Sequence, residues 1–127
     1  MNWIVLGALL AAASVIAGAF GAHALAARLA PHELGLWETA ARYLMYGGLS
    51  LVLAGLFARQ GMGRGSGALG ALNGAGWCLF LGSVIFSGTV FALALGSPRI
   101  LGAITPLGGV LLILGFLLFA FAAFPRS

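Results

Sequence analysis

WIVLGALLAAASVIAGAFGAHAL, running from Trp3 to Leu25, is the stretch on which the reading of this chain turns. No side chain in it carries a formal charge. About 20 apolar residues rising ~1.5 Å each match a bilayer core of about 30 Å, so the run spans as one helix. Ala22-His23-Ala24 also fits the small-x-small pattern of a signal-peptide cleavage site. Against cleavage, no basic segment leads the run, and it exceeds the roughly 7–15 residues of a signal h-region. A permanent helix is expected. Ala17 with Gly21 and Gly18 with Ala22 form small-xxx-small pairs, which let a second helix approach closely.

Working outward, three more apolar runs follow: Tyr43 to Ala58, Ala68 to Leu95 and Ile100 to Phe124. Between them lie a polar stretch from Arg28 to Arg42, a glycine-rich loop from Arg59 to Gly67, and the turn Gly96-Ser97-Pro98-Arg99. The expected fold class is all-α: a single transmembrane domain over residues 1–127, an integral membrane four-helix bundle with helices near 3–25, 37–58, 70–95 and 103–124. Composition agrees. Hydrophobic residues make up 62% of the 127 and charged residues only 6%, with a mean hydropathy of +1.14. Soluble domains use charge at about 25% to cover their surface. Lipid is the natural solvent here.

The net charge of +4 comes from six arginines against Glu33 and Glu38. Scattered singly between apolar runs, these arginines form no basic patch, so nucleic acid is not expected as a partner and they read as topology signals. Four spans put both ends of the chain on one side, with Arg59, Arg64 and Arg126; the other face has Arg28, Arg42 and Arg99. The positive-inside count is tied, and the loop arginines favour cytoplasmic termini. Cys78, alone in an apolar run, offers no intrachain disulfide. His23 and His32 lack ligand spacing, so no metal site is expected.

Threading four spans gathers the polar residues at one membrane face. The end of the first helix brings His23, the start of the second Glu38 and Arg42, the end of the third Ser87-Gly88, and the start of the fourth Thr105-Pro106 with Gly108-Gly109. His23, Glu38, Arg42, Ser87 and Thr105 are therefore the candidate polar cluster. Ala17, Gly18, Gly21, Ala22, Gly88, Gly108 and Gly109 are the candidate packing residues. Glu38 and Arg42 stand four apart and can pair on a helix; an anchor at headgroup depth is preferred over a binding or proton-handling role. His23 is read as an interhelical or headgroup hydrogen-bonding residue rather than a proton relay. Thr105 can cap a helix beginning at Pro106, with a broken, anion-binding helix as the alternative. Trp3 and Trp77 fall near one interface, with Trp37, Tyr43 and Tyr46 near the other. Neither a nucleophile–base pair nor a phosphate loop is recognisable, so no enzyme activity and no cofactor are expected.

Four segments carry a family resemblance: Gly18-Ala-Phe-Gly-Ala-His23-Ala-Leu25, Trp37-Glu-Thr-Ala-Ala-Arg-Tyr43 with Met45-Tyr46, Phe86-Ser-Gly88, and Ile104-Thr-Pro-Leu-Gly-Gly109. In this order, over nearly the whole chain, they resemble the YgdD-like small bacterial inner-membrane proteins. The resemblance implies four membrane helices in the bacterial inner membrane and no assigned activity. Two positions depart from that pattern: Gly47 stands where the family commonly has histidine, and Leu44 where it often has glutamine. The expected function is a non-enzymatic protein that organises lipid, a homo-oligomer or a membrane-protein partner through helix packing. The alternative is a small homodimeric channel or transporter, which liposome flux sensitive to His23→Ala and Glu38→Gln would reveal.

Overall fold

A computed structural model describes residues 2–60 and 66–124. Four helices follow one another: α1 over Trp3–Phe20, extended by a π-helical turn at Gly21–Leu25; α2 over Pro31–Arg59; α3 over Ser66–Ala94; and α4 over Leu101–Ala123. All four are long and apolar enough to cross a membrane. Most of the glycine-rich loop (61–65), Arg64 and Arg126 lie outside the described residues.

Helix starts differ from the sequence reading at three places, α3 beginning at Ser66 rather than near 70. α2 begins at Pro31 rather than near 37, with proline in its first turn and Glu33 close behind. Both are favourable at a helix start, proline because its missing N–H is needed by no acceptor there, the acid because of the helix dipole. α4 begins at Leu101, so Pro106 lies inside a continuous helix and Thr105 caps nothing. The Thr105 hydroxyl instead donates to the Leu101 carbonyl at 3.1 Å.

Packing follows chain order. α3 and α4 share the most extensive contact, then α1 with α2 and α2 with α3, while α1 touches α3 only marginally. Accordingly, 39% and 33% of the most apolar windows of α2 and α3 are buried, against 17% in α1 and α4. The inner pair is α2 and α3, and the outer helices present broad apolar faces to lipid.

Glycine decides how closely the backbones approach. A Cβ on Gly48 would lie 2.8 Å from both the Ala11 nitrogen and the Gly7 oxygen, and one on Gly7 would strike the Gly48 carbonyl. At the α3–α4 contact, a Cβ on Gly82 would lie 2.8 Å from the Leu112 nitrogen, and one on Gly108 would strike the Phe86 backbone. Without a hydrophobic drive between helices in lipid, such van der Waals contact is a principal source of cohesion. Around these contacts the core is small: Trp3, Leu51, Leu79 and Leu112 form one cluster, Ala54, Leu72 and Ala122 another. Trp3, expected at an interface, is 5% exposed. Its ring lies over Gly76, where a Cβ would strike it, and makes an edge contact with Trp77 at 5.3 Å.

The α3–α4 turn is closed by a Schellman motif. Ser97 N–H donates to the Ala92 carbonyl and Gly96 N–H to the Leu93 carbonyl, both at 3.1 Å, with Gly96 at φ +94°. Gly96→Ala is expected to cost about 1 kcal/mol through backbone strain alone, because no atom lies within 4 Å of the added methyl. Thermal unfolding in detergent reads it, and a Tm equal to wild type would contradict the assignment.

Candidate functional site

The buried serine side chains inside the spans are bound to backbone. Ser14 on α1 donates to the Ala41 carbonyl at 2.6 Å, and Ser87 on α3 donates to the Ala40 carbonyl at 2.8 Å. Two hydroxyls thus clamp consecutive peptides of α2 from its two neighbours, and both serines are buried. Each carbonyl gains a donor in a region where water cannot supply one. Between α3 and α4, the Thr89 and Thr105 hydroxyls lie 2.7 Å apart; with the Thr105 proton on the Leu101 carbonyl, Thr89 is the donor to Thr105, and the Ile85 carbonyl at 2.8 Å competes for the same proton. Ser83, 0% exposed, donates to the Leu79 carbonyl at 2.6 Å. Among the described residues, every buried side-chain nitrogen and oxygen has a partner.

The five residues of the candidate polar cluster are not drawn into one enclosed centre. Ser87 is buried and Thr105 half-buried, each in its own interhelical bond, whereas His23, Glu38 and Arg42 are exposed. Glu38 and Arg42 form no ion pair. No three His, Cys, Asp or Glu side chains come together among the described residues.

Of the packing candidates, Gly21 and Gly108 make close contacts. Ala17 contributes its carbonyl to Trp37. Gly109 only approaches the Phe86 ring, at 3.9 Å from a built Cβ. Gly18, Ala22 and Gly88 are exposed, and a Cβ on Gly18 or Gly88 would meet nothing. Gly47, where the resemblance implies histidine, is sealed against Ser83, so this position packs α2 on α3 instead of opening a polar pocket.

Sequence reasoning missed Trp37 as a structural bolt. Its indole Nε1 donates to the Ala17 carbonyl at 2.7 Å, and its ring occupies the space that Gly21 leaves open. Phe91 and Phe20 flank it at 4.5 and 6.1 Å between ring centroids. This contact sits where α1 passes into its π-helical turn, a widening often associated with function. The turn carries His23 outward.

One cleft was also not foreseen. Tyr43 and Tyr46 of α2, Phe86 of α3, and Gly109, Leu112, Ile113 and Phe116 of α4 surround about 270 Å³. Tyr43 stacks at 4.8 Å on Phe86 and meets Tyr46 edge-on at 5.2 Å. An available signal was the Tyr43/Tyr46 spacing, which sets both rings on neighbouring positions of one helix face.

Comparison with known proteins places these features in a lineage. The model of a family described as "Protein of unknown function (DUF423)" matches residues 17–109. A UPF0382 membrane protein of Staphylococcus haemolyticus is 46% identical over 122 residues, covering 96% of this chain and 94% of that protein. A UPF0382 membrane protein of Staphylococcus epidermidis is 48% identical over 120 residues, covering 94% and 93%. One of Staphylococcus aureus is 42% identical over 122 residues, covering 96% and 94%. No solved structure matches the chain.

Proposed function

This chain belongs to the DUF423 family of membrane proteins of unknown function, and on that premise we propose that it is a non-enzymatic protein that organises lipid or partner proteins through its helix surfaces. The observation that carries the reading is a division of labour. The buried serine hydroxyls in the spans donate to backbone carbonyls, while an apolar cleft and the faces of α1 and α4 stay open. A serine that donates to a carbonyl in a dry helix interface is held as structural glue and lacks the adjacent base that activates a nucleophile. Leu107, Val110, Ile113, Leu117 and Phe121 of α4 are all exposed, a stripe suited to hydrocarbon or another helix.

We place the protein in the bacterial inner membrane with cytoplasmic termini, on the resemblance to the YgdD-like proteins and on the loop arginines. Native mass spectrometry of the full chain, released from mild detergent, tests the function. Retained phospholipid or a co-purifying subunit is the expected result. Bare monomer under all mild conditions would overturn it.

A further inference from the structure

We propose that the cleft between α2 and α4 binds one acyl chain of an anionic phospholipid, with Arg42 meeting the headgroup phosphate at its mouth. This rests on the lipid-organising reading above and assigns it a site. Depth comes first. Stepping about 20 residues back from Arg59 along α2, at ~1.5 Å each, covers the hydrocarbon core and ends near Glu38 and Thr39. Arg42 lies within about one turn of that boundary, where a long cationic side chain reaches the headgroups. Tyr43 follows about one turn inside that boundary, and Tyr46 lies nearly a turn deeper, within the hydrocarbon.

From there the cleft descends along α4 from Gly109 to Phe116, about 10 Å at the helical rise. A leaflet of hydrocarbon is about 15 Å deep, half the bilayer core. Gly109 lies eight residues, about 12 Å, in from the start of α4 at Leu101, so the cleft begins below the headgroups and ends near the bilayer midplane, along the direction of an acyl chain.

Charge and donors agree with that occupant. Arg42 is exposed and unpaired even though Glu38 stands one turn away, and neither tyrosine hydroxyl makes a hydrogen bond among the described residues. Arg42 and Tyr43, the donors nearest the leaflet boundary, are thus free for phosphate and ester oxygens, and basic pockets between membrane helices recognise anionic headgroups in this way.

The test uses the full chain, delipidated in detergent and titrated with dioleoyl phosphatidylglycerol or dioleoyl phosphatidylcholine, with bound lipid read by native mass spectrometry. Wild type is expected to prefer phosphatidylglycerol about fivefold, the contribution of one basic residue near the surface. Arg42→Gln should abolish that preference while keeping chain binding. Gly109→Leu fills the cleft and should lose both lipids, whereas Gly109→Ala adds only an ordinary contact at 3.9 Å to Phe86 and should bind as wild type. Equal binding of the two lipids by wild type, or undiminished binding by Gly109→Leu, would overturn the proposal. Lipid retention indifferent to Gly109→Leu would leave the organising function standing and remove only this site. A dimer lost in Gly109→Leu without any lipid dependence would give the cleft to a second copy and equally refute the assignment.

Discussion

Gly48→Val is expected to lower the unfolding free energy by about 3 kcal/mol, the upper part of the range for forcing added carbons into a packed interior. The atoms that its Cβ would meet, at 2.8 Å, are the Ala11 nitrogen and the Gly7 carbonyl oxygen. Both are backbone, so no rotamer change relieves the clash, and α1 must move away from α2 as a body. That movement also strains the reciprocal contact at Gly7 and lengthens the Ser14 to Ala41 hydrogen bond. Gly18→Val is the matched control. Gly18 is exposed with open space around it, so its replacement should change stability by less than about 0.5 kcal/mol. Denaturation in mild detergent, followed by circular dichroism, compares the two. Equal stabilities would show that α1 and α2 are not held at this distance.

Trp37→Ala should be nearly as damaging, at about 3 kcal/mol, because it empties a site between Gly21, Phe20 and Phe91 and removes the bond to the Ala17 carbonyl. That carbonyl keeps its helical donor, Gly21 N–H, so the loss is mainly one of packing. A double-mutant cycle separates this from a general weakening. In the wild-type background, a Cβ on Gly21 would lie 2.6 Å from the Trp37 ring, and Gly21→Ala should destabilise. With Trp37 already alanine, the same methyl has room. The expected coupling is about 1–2 kcal/mol, typical of residues in direct contact. Additive effects would mean that Trp37 and Gly21 are not seated on each other.

The four helices were legible because hydropathy over some 20 residues is a statement about solvent, and few alternatives satisfy it. Finer features were less so. The start of α2 is hidden in hydropathy because its first turns are polar, although Pro31 and Glu33 are themselves helix-start signals. Small-xxx-small pairs are common in a chain with 21 glycines, and spacing does not say which face meets a neighbour. Gly18 and Ala22 have that spacing and face outward, while Gly7 and Gly48 bring the backbones of α1 and α2 together. The shared membrane face of His23, Glu38 and Arg42 followed from topology, but their exposure depended on helix rotation, which one sequence does not specify. The α2–α4 cleft joins residues some 65 positions apart and has no local signature.

Packing in chain order bears on how the protein is made. Each helix, once inserted, finds its main contact among those already present in the helix delivered just before it. Contact between neighbours in the chain needs little loop-closure entropy, and synthesis proceeds from the N-terminus. The α1–α2 hairpin therefore assembles while the ribosome is still translating α3, and α4 arrives last onto a finished surface. A chain released at the turn near Gly96 retains both clamps on α2, since Ser14 and Ser87 have already emerged by then.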